Sequence, residues 1–194
     1  MKKKLSILML LAALMVPWAS KAQFLVDYSF STGTDATKWI TVPSSIPSLI
    51  TPGAGDYGVS SVVNIGFTFP FGMGNFTQFS VNSDGNLRFG STVTGTSNYT
   101  TPFSSSNASV NAPKINPMGC DGYLTDSGYV RNYNTEDANG DSLLVVEFAT
   151  STYTTTSRAS LLKWQVHLYP NGNIVIVFAS NPPPILPAPG FLSR

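Results

Sequence analysis

Apolar and polar positions alternate with a period of two at several places along the chain, which is the pattern of half-buried β-strands. Residues 162–169 show it most clearly, because Leu162, Trp164 and Val166 alternate with polar side chains. After residue 22, no stretch of the sequence keeps the i, i+3, i+4, i+7 apolar spacing of an amphipathic helix. The pattern therefore predicts an all-β protein.

Polar turn sequences separate pairs of these segments and predict three β-hairpins. The predicted partners are Phe79–Val81 with Leu87–Phe89, Tyr129–Tyr133 with Leu143–Phe148, and residues 162–169 with Ile174–Phe178. Two of the turns contain Asp84-Gly85 or Asn171-Gly172, which tolerate the positive φ angles of a tight turn. Weaker strands are expected around Val26–Phe30, Leu49–Thr51 and Lys114–Met118.

Many short strands separated by Gly, Pro, Asn and Ser turns indicate a two-sheet antiparallel β-sandwich. We predict one jelly-roll-like domain of this kind over residues 23–180. Leu143–Phe148 and Ile174–Phe178 are apolar on both faces. A strand covered on both faces lies in the interior of its sheet, so we expect both segments at central positions.

Residues 1–22 have the composition of a secretory signal peptide. Lys2–Lys4 form a basic start, Leu5–Val16 is an apolar run, and small residues precede a predicted cut between Ala22 and Gln23. As a helix the run would span about 18 Å, short of the ~30 Å hydrocarbon core, so a signal peptide is favoured over a membrane anchor. We predict export through a Sec-type route to the cell surface or the medium.

Composition excludes several classes of function. Charged residues make up 11% of the chain against 42% hydrophobic residues, and the formal net charge is +1. A nearly neutral chain lacks the basic surface of a nucleic-acid-binding protein. One cysteine, Cys120, gives no disulfide framework, and one histidine, His167, argues against most histidine-based metal sites. We therefore predict no cofactor.

The carboxyl-terminal segment, residues 181–194, differs from the rest. Residues 181–190 contain five prolines, and proline offers no amide hydrogen to a sheet. The segment therefore resembles an extended linker. A linker normally joins two modules, so further domains of a longer chain could follow it.

The polar loop at residues 135–141 places Asp137, Asn139 and Asp141 at alternate positions, as calcium loops do. Its glycine stands at the fourth position, and Phe148 occupies the twelfth, where an EF-hand needs glutamate. A plain hairpin loop is favoured, and calcium binding there is left open.

Candidate catalytic residues are few. His167 and Cys120 have no partner base nearby in sequence, and Glu147, Asp121 and Asp126 form no recognisable pair. We assign no catalytic residue and no metal ligand, and we predict that the protein is not an enzyme. Aromatic residues in polar surroundings are possible contacts to sugars or peptides, although no ligand-binding residue is assigned: Trp39, Tyr57, Tyr99, Tyr123, Tyr129 and Tyr153.

Four stretches together resemble a known type of domain: Ile65–Phe71, Phe76–Gly90, Pro113–Met118 with Asp121, and Leu144–Phe148 with Trp164–Ile174. Their order is similar to that in the amino-terminal β-sandwich of secreted and surface proteins of the Bacteroidota that are associated with type IX secretion. It is also similar to the nidogen-type extracellular domain. The resemblance implies a fold and an external location but no shared reaction, so it assigns no catalytic residue.

The leading hypothesis is an exported, non-catalytic module for adhesion or for binding an extracellular glycan or protein. No nucleic-acid partner and no transmembrane segment after signal removal are expected. The alternative is an accessory domain of a larger secreted hydrolase whose catalytic module lies downstream.

Overall fold

Two antiparallel sheets form the protein in a computed structural model that describes residues 28–92, 113–119, 121–152 and 161–179. The first sheet contains β1 (Val63–Phe71), β2 (Gly74–Val81), β3 (Leu87–Phe89) and β4 (Lys114–Ile115). The second contains β5 (Gly122–Tyr123), β6 (Tyr129–Glu136), β7 (Ser142–Thr152), β8 (Leu162–Leu168) and β9 (Ile174–Phe178). The predicted signal peptide, the proline-rich segment, Cys120, Tyr99 and Tyr153 lie outside the described residues.

Neighbouring strands follow one another along the chain. The first sheet has the order β1-β2-β3-β4, while β5 and β6 both pair with β7, which is followed by β8 and β9. Every pairing is antiparallel. The prediction of an all-β, two-sheet antiparallel sandwich is confirmed, and so are the three predicted hairpins.

The core lies between the two sheets and combines aliphatic side chains with stacked aromatic rings. Phe69 and Phe89 stack with ring centroids 5.2 Å apart in the first sheet. On the second sheet the rings of Phe148 and Trp164 are nearly parallel, with centroids 4.9 Å apart. Each of these side chains is buried, and burial of such a side chain contributes about 1.5–3 kcal/mol. This core holds the two sheets face to face.

A second, smaller apolar cluster covers the outer face of the second sheet. Residues 38–46, which we call the strap, cross that face without forming a strand. Val42 of the strap packs with Leu143 and Val145 of β7. The strap explains why β7 is buried on both faces although it is only one layer from the surface.

Several weaker expectations differ from the structure. Leu49–Thr51 runs as irregular backbone, residues 28–30 form no strand, and the predicted strand at Lys114–Met118 shortens to two residues. The expected central position is correct for Leu143–Phe148 but wrong for Ile174–Phe178, because β9 is an edge strand whose Phe178 is 43% exposed. Among the described residues, no helix is long and apolar enough to cross a membrane.

Candidate functional site

Three carboxylates converge at one end of the sandwich. Asp56, Asp84 and Asp121 each place an oxygen within 4.8 Å of the others. We call this group the carboxylate corner. Its members come from three separate segments of the chain, so the fold alone brings them together.

Asp84 owes its position to the turn between β2 and β3. The side-chain oxygen Oδ1 of Asn82 accepts the Asn86 amide at 3.0 Å, and Gly85 donates to the Asn82 carbonyl at 3.1 Å. Gly85 has φ of 78°, the left-handed region that the Asp-Gly sequence was expected to supply. The turn packs against the core at Trp164, which leaves Asp84 only 1% exposed.

Backbone hydrogen bonds attach the other two segments to this turn. Ser83 donates its amide to the Gly58 carbonyl at 2.9 Å, which fixes the segment of Asp56. The Gly122 amide donates to Asp84 Oδ1 at 3.1 Å, which fixes the segment of Asp121. A side chain on Gly122 would collide with the Ser83 carbonyl, so the close approach requires glycine at this position.

Burial and mutual repulsion dominate the electrostatics of the corner. Burial raises the pKa of Asp84 to about 7, and the neighbouring carboxylates Asp121 and Asp56 add to the rise against the hydrogen bond from Gly122. Burial also raises the pKa of Asp121 to about 6, with a further contribution from Asp56. Both shifts oppose ionisation, so the corner carries negative charge at an energetic cost.

One oxygen of the corner lacks a partner. Asp121 Oδ1 is shielded from solvent and accepts no hydrogen bond from any residue that the structure describes. A buried acceptor without a partner costs about 1–3 kcal/mol.

Aromatic side chains border the corner. Tyr57 directly follows Asp56 and is 64% exposed. Tyr123 is half-buried beside Gly55, two residues after Asp121. The corner therefore combines carboxylate acceptors with an accessible aromatic ring.

A second polar group lies on the opposite, outer face of the second sheet, beneath the strap. Glu147 accepts the Tyr129 hydroxyl at Oε1 (2.8 Å) and the Gln165 amide at Oε2 (2.7 Å). The Gln165 side chain also bonds both main-chain groups of Ile40, at 3.1 and 2.6 Å. His167 Nε2 lies 2.9 Å from Gln165 Oε1. We call this group the buried network.

His167 is neutral in this setting. Because Gln165 Oε1 can only accept, the His167 proton stands on Nε2, and burial lowers the pKa of the ring to about 4. Lys38 lowers that pKa further, while Asp137 opposes the effect. The histidine is thus a structural side chain of the network.

The other acidic residues considered from the sequence lie mostly outside the carboxylate corner. Asp137 Oδ1 accepts the backbone amides of Asn139 and Asp141, so this carboxylate is used within its own hairpin loop. Asp126 is exposed and lies outside the corner, although it is close to Asp121 in sequence. Of the acids considered from sequence, only Asp121 belongs to the corner. Asp56 and Asp84 were not recognised as site residues, since no short spacing links the three.

Two antiparallel sheets that pack face to face define the protein as an all-β sandwich module. The chain matches the NIDO-related family over residues 27–185 and belongs to that family. Nidogen-like domains are a non-enzymatic module type and are typically extracellular. No curated protein and no solved structure matches the chain.

Proposed function

We propose that the protein is an exported, non-catalytic module that binds an extracellular glycan at the carboxylate corner. The single observation on which this rests is the exposed ring of Tyr57 beside the three carboxylates. An aromatic face packs against the apolar face of a sugar ring, and the carboxylates of Asp56 and Asp121, which are half-buried rather than fully buried, accept hydrogen bonds from sugar hydroxyls.

Family membership supports the external location and the lack of a reaction in this proposal. The alternative of an accessory domain in a larger hydrolase depends on the proline-rich segment 181–194, which lies outside the described residues. That alternative stays a prediction.

Binding is tested with the purified protein on arrays of glycans and of matrix proteins. We expect glycan binding that weakens about tenfold in Tyr57→Ala, the loss of one stacking contact. Phe30→Ala is the matched control, because Phe30 is an exposed aromatic residue of a different segment, and it should bind as the wild type does.

Three results would contradict the proposal. They are binding to no glycan, binding to matrix proteins alone, and equal loss of affinity in the Tyr57 and Phe30 variants. Thermal unfolding of both variants shows whether a loss of affinity reflects a loss of folding.

A further inference from the structure

The carboxylate corner brings together three acidic side chains, each with an oxygen within 4.8 Å of the others. Asp84 is 1% exposed and receives hydrogen bonds from the Gly122 amide and the Asn82 side chain. The charged neighbours of Asp84 and Asp121 are other carboxylates, and the Asp121 side chain also shares a hydrogen bond with that of Asp56. A buried charge is costly unless an opposite charge or a metal ion pairs with it.

A second observation indicates what is needed to complete the corner. Asp121 Oδ1 is shielded from water yet has no hydrogen-bond donor among the described residues. In a folded protein, a buried acceptor of this kind calls for an explanation such as a bound ion. The atom belongs to the same side chain that meets Asp56 and Asp84.

The spacing suits a single ion. Calcium binds oxygen ligands at about 2.3–2.6 Å, so two of its ligands are at most about 5 Å apart. The three carboxylate oxygens of the corner lie within 4.8 Å of one another. We propose that the carboxylate corner binds a calcium ion through one oxygen each from Asp56, Asp84 and Asp121.

Calcium fits the donor set better than other metals. All three side-chain ligands are hard oxygens, which select calcium, magnesium or manganese over zinc and copper. Magnesium retains most of its water shell and rarely accepts a site built mainly of protein carboxylates.

A bound ion would join three segments that otherwise repel each other. Asp56, Asp84 and Asp121 anchor the loop before β1, the β2–β3 turn and the segment that enters β5. The ion would also fix the base of the loop that carries Tyr57. Cation binding is measured without any glycan, so it stands or fails separately from the proposed function.

The test measures thermal unfolding of the chelator-treated protein with and without added calcium. At a calcium concentration 100-fold above Kd, we expect the melting temperature to rise by about 5–10 °C. Terbium, a luminescent substitute for calcium, should emit when tyrosine is excited, because Tyr57 and Tyr123 adjoin the ligands. Added calcium should displace it.

Asp121→Asn should remove both signals. Asp126→Asn is the matched control, an exposed aspartate outside the corner, and should respond as the wild type does. Asp84→Asn should also remove both signals. If this variant does not fold because Asp84 is buried, Asp121→Asn decides the result alone, since Asp121 is half-buried.

The proposal is overturned if about 10 mM calcium, above the usual affinity range of extracellular calcium modules, leaves the wild-type melting temperature unchanged. It is also overturned if Asp121→Asn responds as strongly as the wild type. An equal or larger response to magnesium contradicts the assignment to calcium.

Discussion

The carboxylate corner and the buried network both place titratable groups out of contact with water, but they satisfy them differently. In the network, each oxygen of Glu147 accepts a hydrogen bond from a side chain. In the corner, Asp121 Oδ1 accepts none from the described residues, and its charged neighbours are Asp56 and Asp84. The Glu147 carboxylate is therefore fully paired within the chain, whereas the Asp121 carboxylate is not. The buried atom without a partner in the network is a ring nitrogen, His167 Nδ1, among the residues that the structure describes.

The difference separates a structural role from a binding role. A buried polar group whose hydrogen bonds are all made stabilises the residues around it. Removing its partner leaves that group buried without a hydrogen bond, which lowers the free energy of unfolding. Like charges held together without a counter-charge destabilise the fold until a ligand arrives. Replacing Gln165 in the network should therefore lower stability, whereas replacing Asp121 in the ion-free corner should raise it.

The largest loss of stability is expected where the backbone of Gly122 lies against that of Ser83, beneath the corner. In Gly122→Ala, the new Cβ collides with the Ser83 carbonyl and lies 2.8 Å from Asp84 Cα. Neither backbone can move away easily, so we expect a loss of about 4 kcal/mol in the free energy of unfolding, measured by urea denaturation.

Gly33→Ala is the control for this substitution, because a Cβ on Gly33 meets no atom within 4 Å. It should change stability by less than about 0.5 kcal/mol. Similar stabilities for the two variants would show that the corner does not depend on the close approach of Gly122.

The next largest effect comes from the centre of the buried network. Gln165→Leu removes the donor to Glu147 Oε2 and both hydrogen bonds to Ile40. The polar groups left behind are buried, so we expect a loss of about 3 kcal/mol in the free energy of unfolding.

Gln78→Leu is the control for the network, because Gln78 is exposed and its side chain donates a hydrogen bond to the equally exposed side chain of Asn64. It should cost less than about 0.5 kcal/mol in a chemical denaturation experiment. Equal losses at both positions would contradict a structural role for the network.

His167 should make the network sensitive to acid. Its pKa is about 4 in the folded protein against an ordinary value of 6.5, so the unfolded chain binds the proton more readily. Stability from this group is complete above about pH 6.5 and falls as pH decreases, by about 2 kcal/mol at about pH 5. Denaturation at both pH values measures the loss.

The variant His167→Gln does not titrate at this position. Subtracting the pH dependence of its free energy of unfolding from that of the wild type cancels the contribution of the other titrating groups and leaves that of the ring. Asp137 faces the ring, but its own pKa is lowered below 3.8 and it titrates outside the window. An unchanged pH slope in His167→Gln would contradict the prediction.

The smallest effect should have the opposite sign. In the presence of a chelator, Asp121→Asn removes one of three mutually repelling charges, and we expect a gain of about 1 kcal/mol in the free energy of unfolding. Asp126→Asn should leave stability nearly unchanged. A loss of stability in Asp121→Asn would mean that the corner is already balanced without an ion.

Local signals were sufficient for the hairpins and for the fold class. Asp84-Gly85 and Asn171-Gly172 specify tight turns through their backbone preferences, and the flanking alternation specifies which face is buried. The position of β9 was not predictable in this way. Apolar residues on both faces show that a strand prefers burial, but they do not show how many strands lie beyond it.

The corner was even less predictable, because its residues are far apart in the sequence. Asp121 was recognised only as a loop acid, and Asp84 only as part of a turn. The partners of each depend on how the β2–β3 turn meets the segment at Gly122. The strap over His167 and Gln165 was hidden for the same reason, since residues 38–46 lack a strand pattern.

The attachment of the strap through the main chain of Ile40 has an evolutionary consequence. Gln165 bonds the amide and carbonyl of residue 40 rather than its side chain, so many amino acids could stand there while the attachment persists. Proline is the exception, because it has no amide hydrogen to donate. Because the Ile40 side chain also packs against the cluster of Val42, Leu143 and Val145, related chains should vary among apolar residues at this position while they retain glutamine in the facing strand.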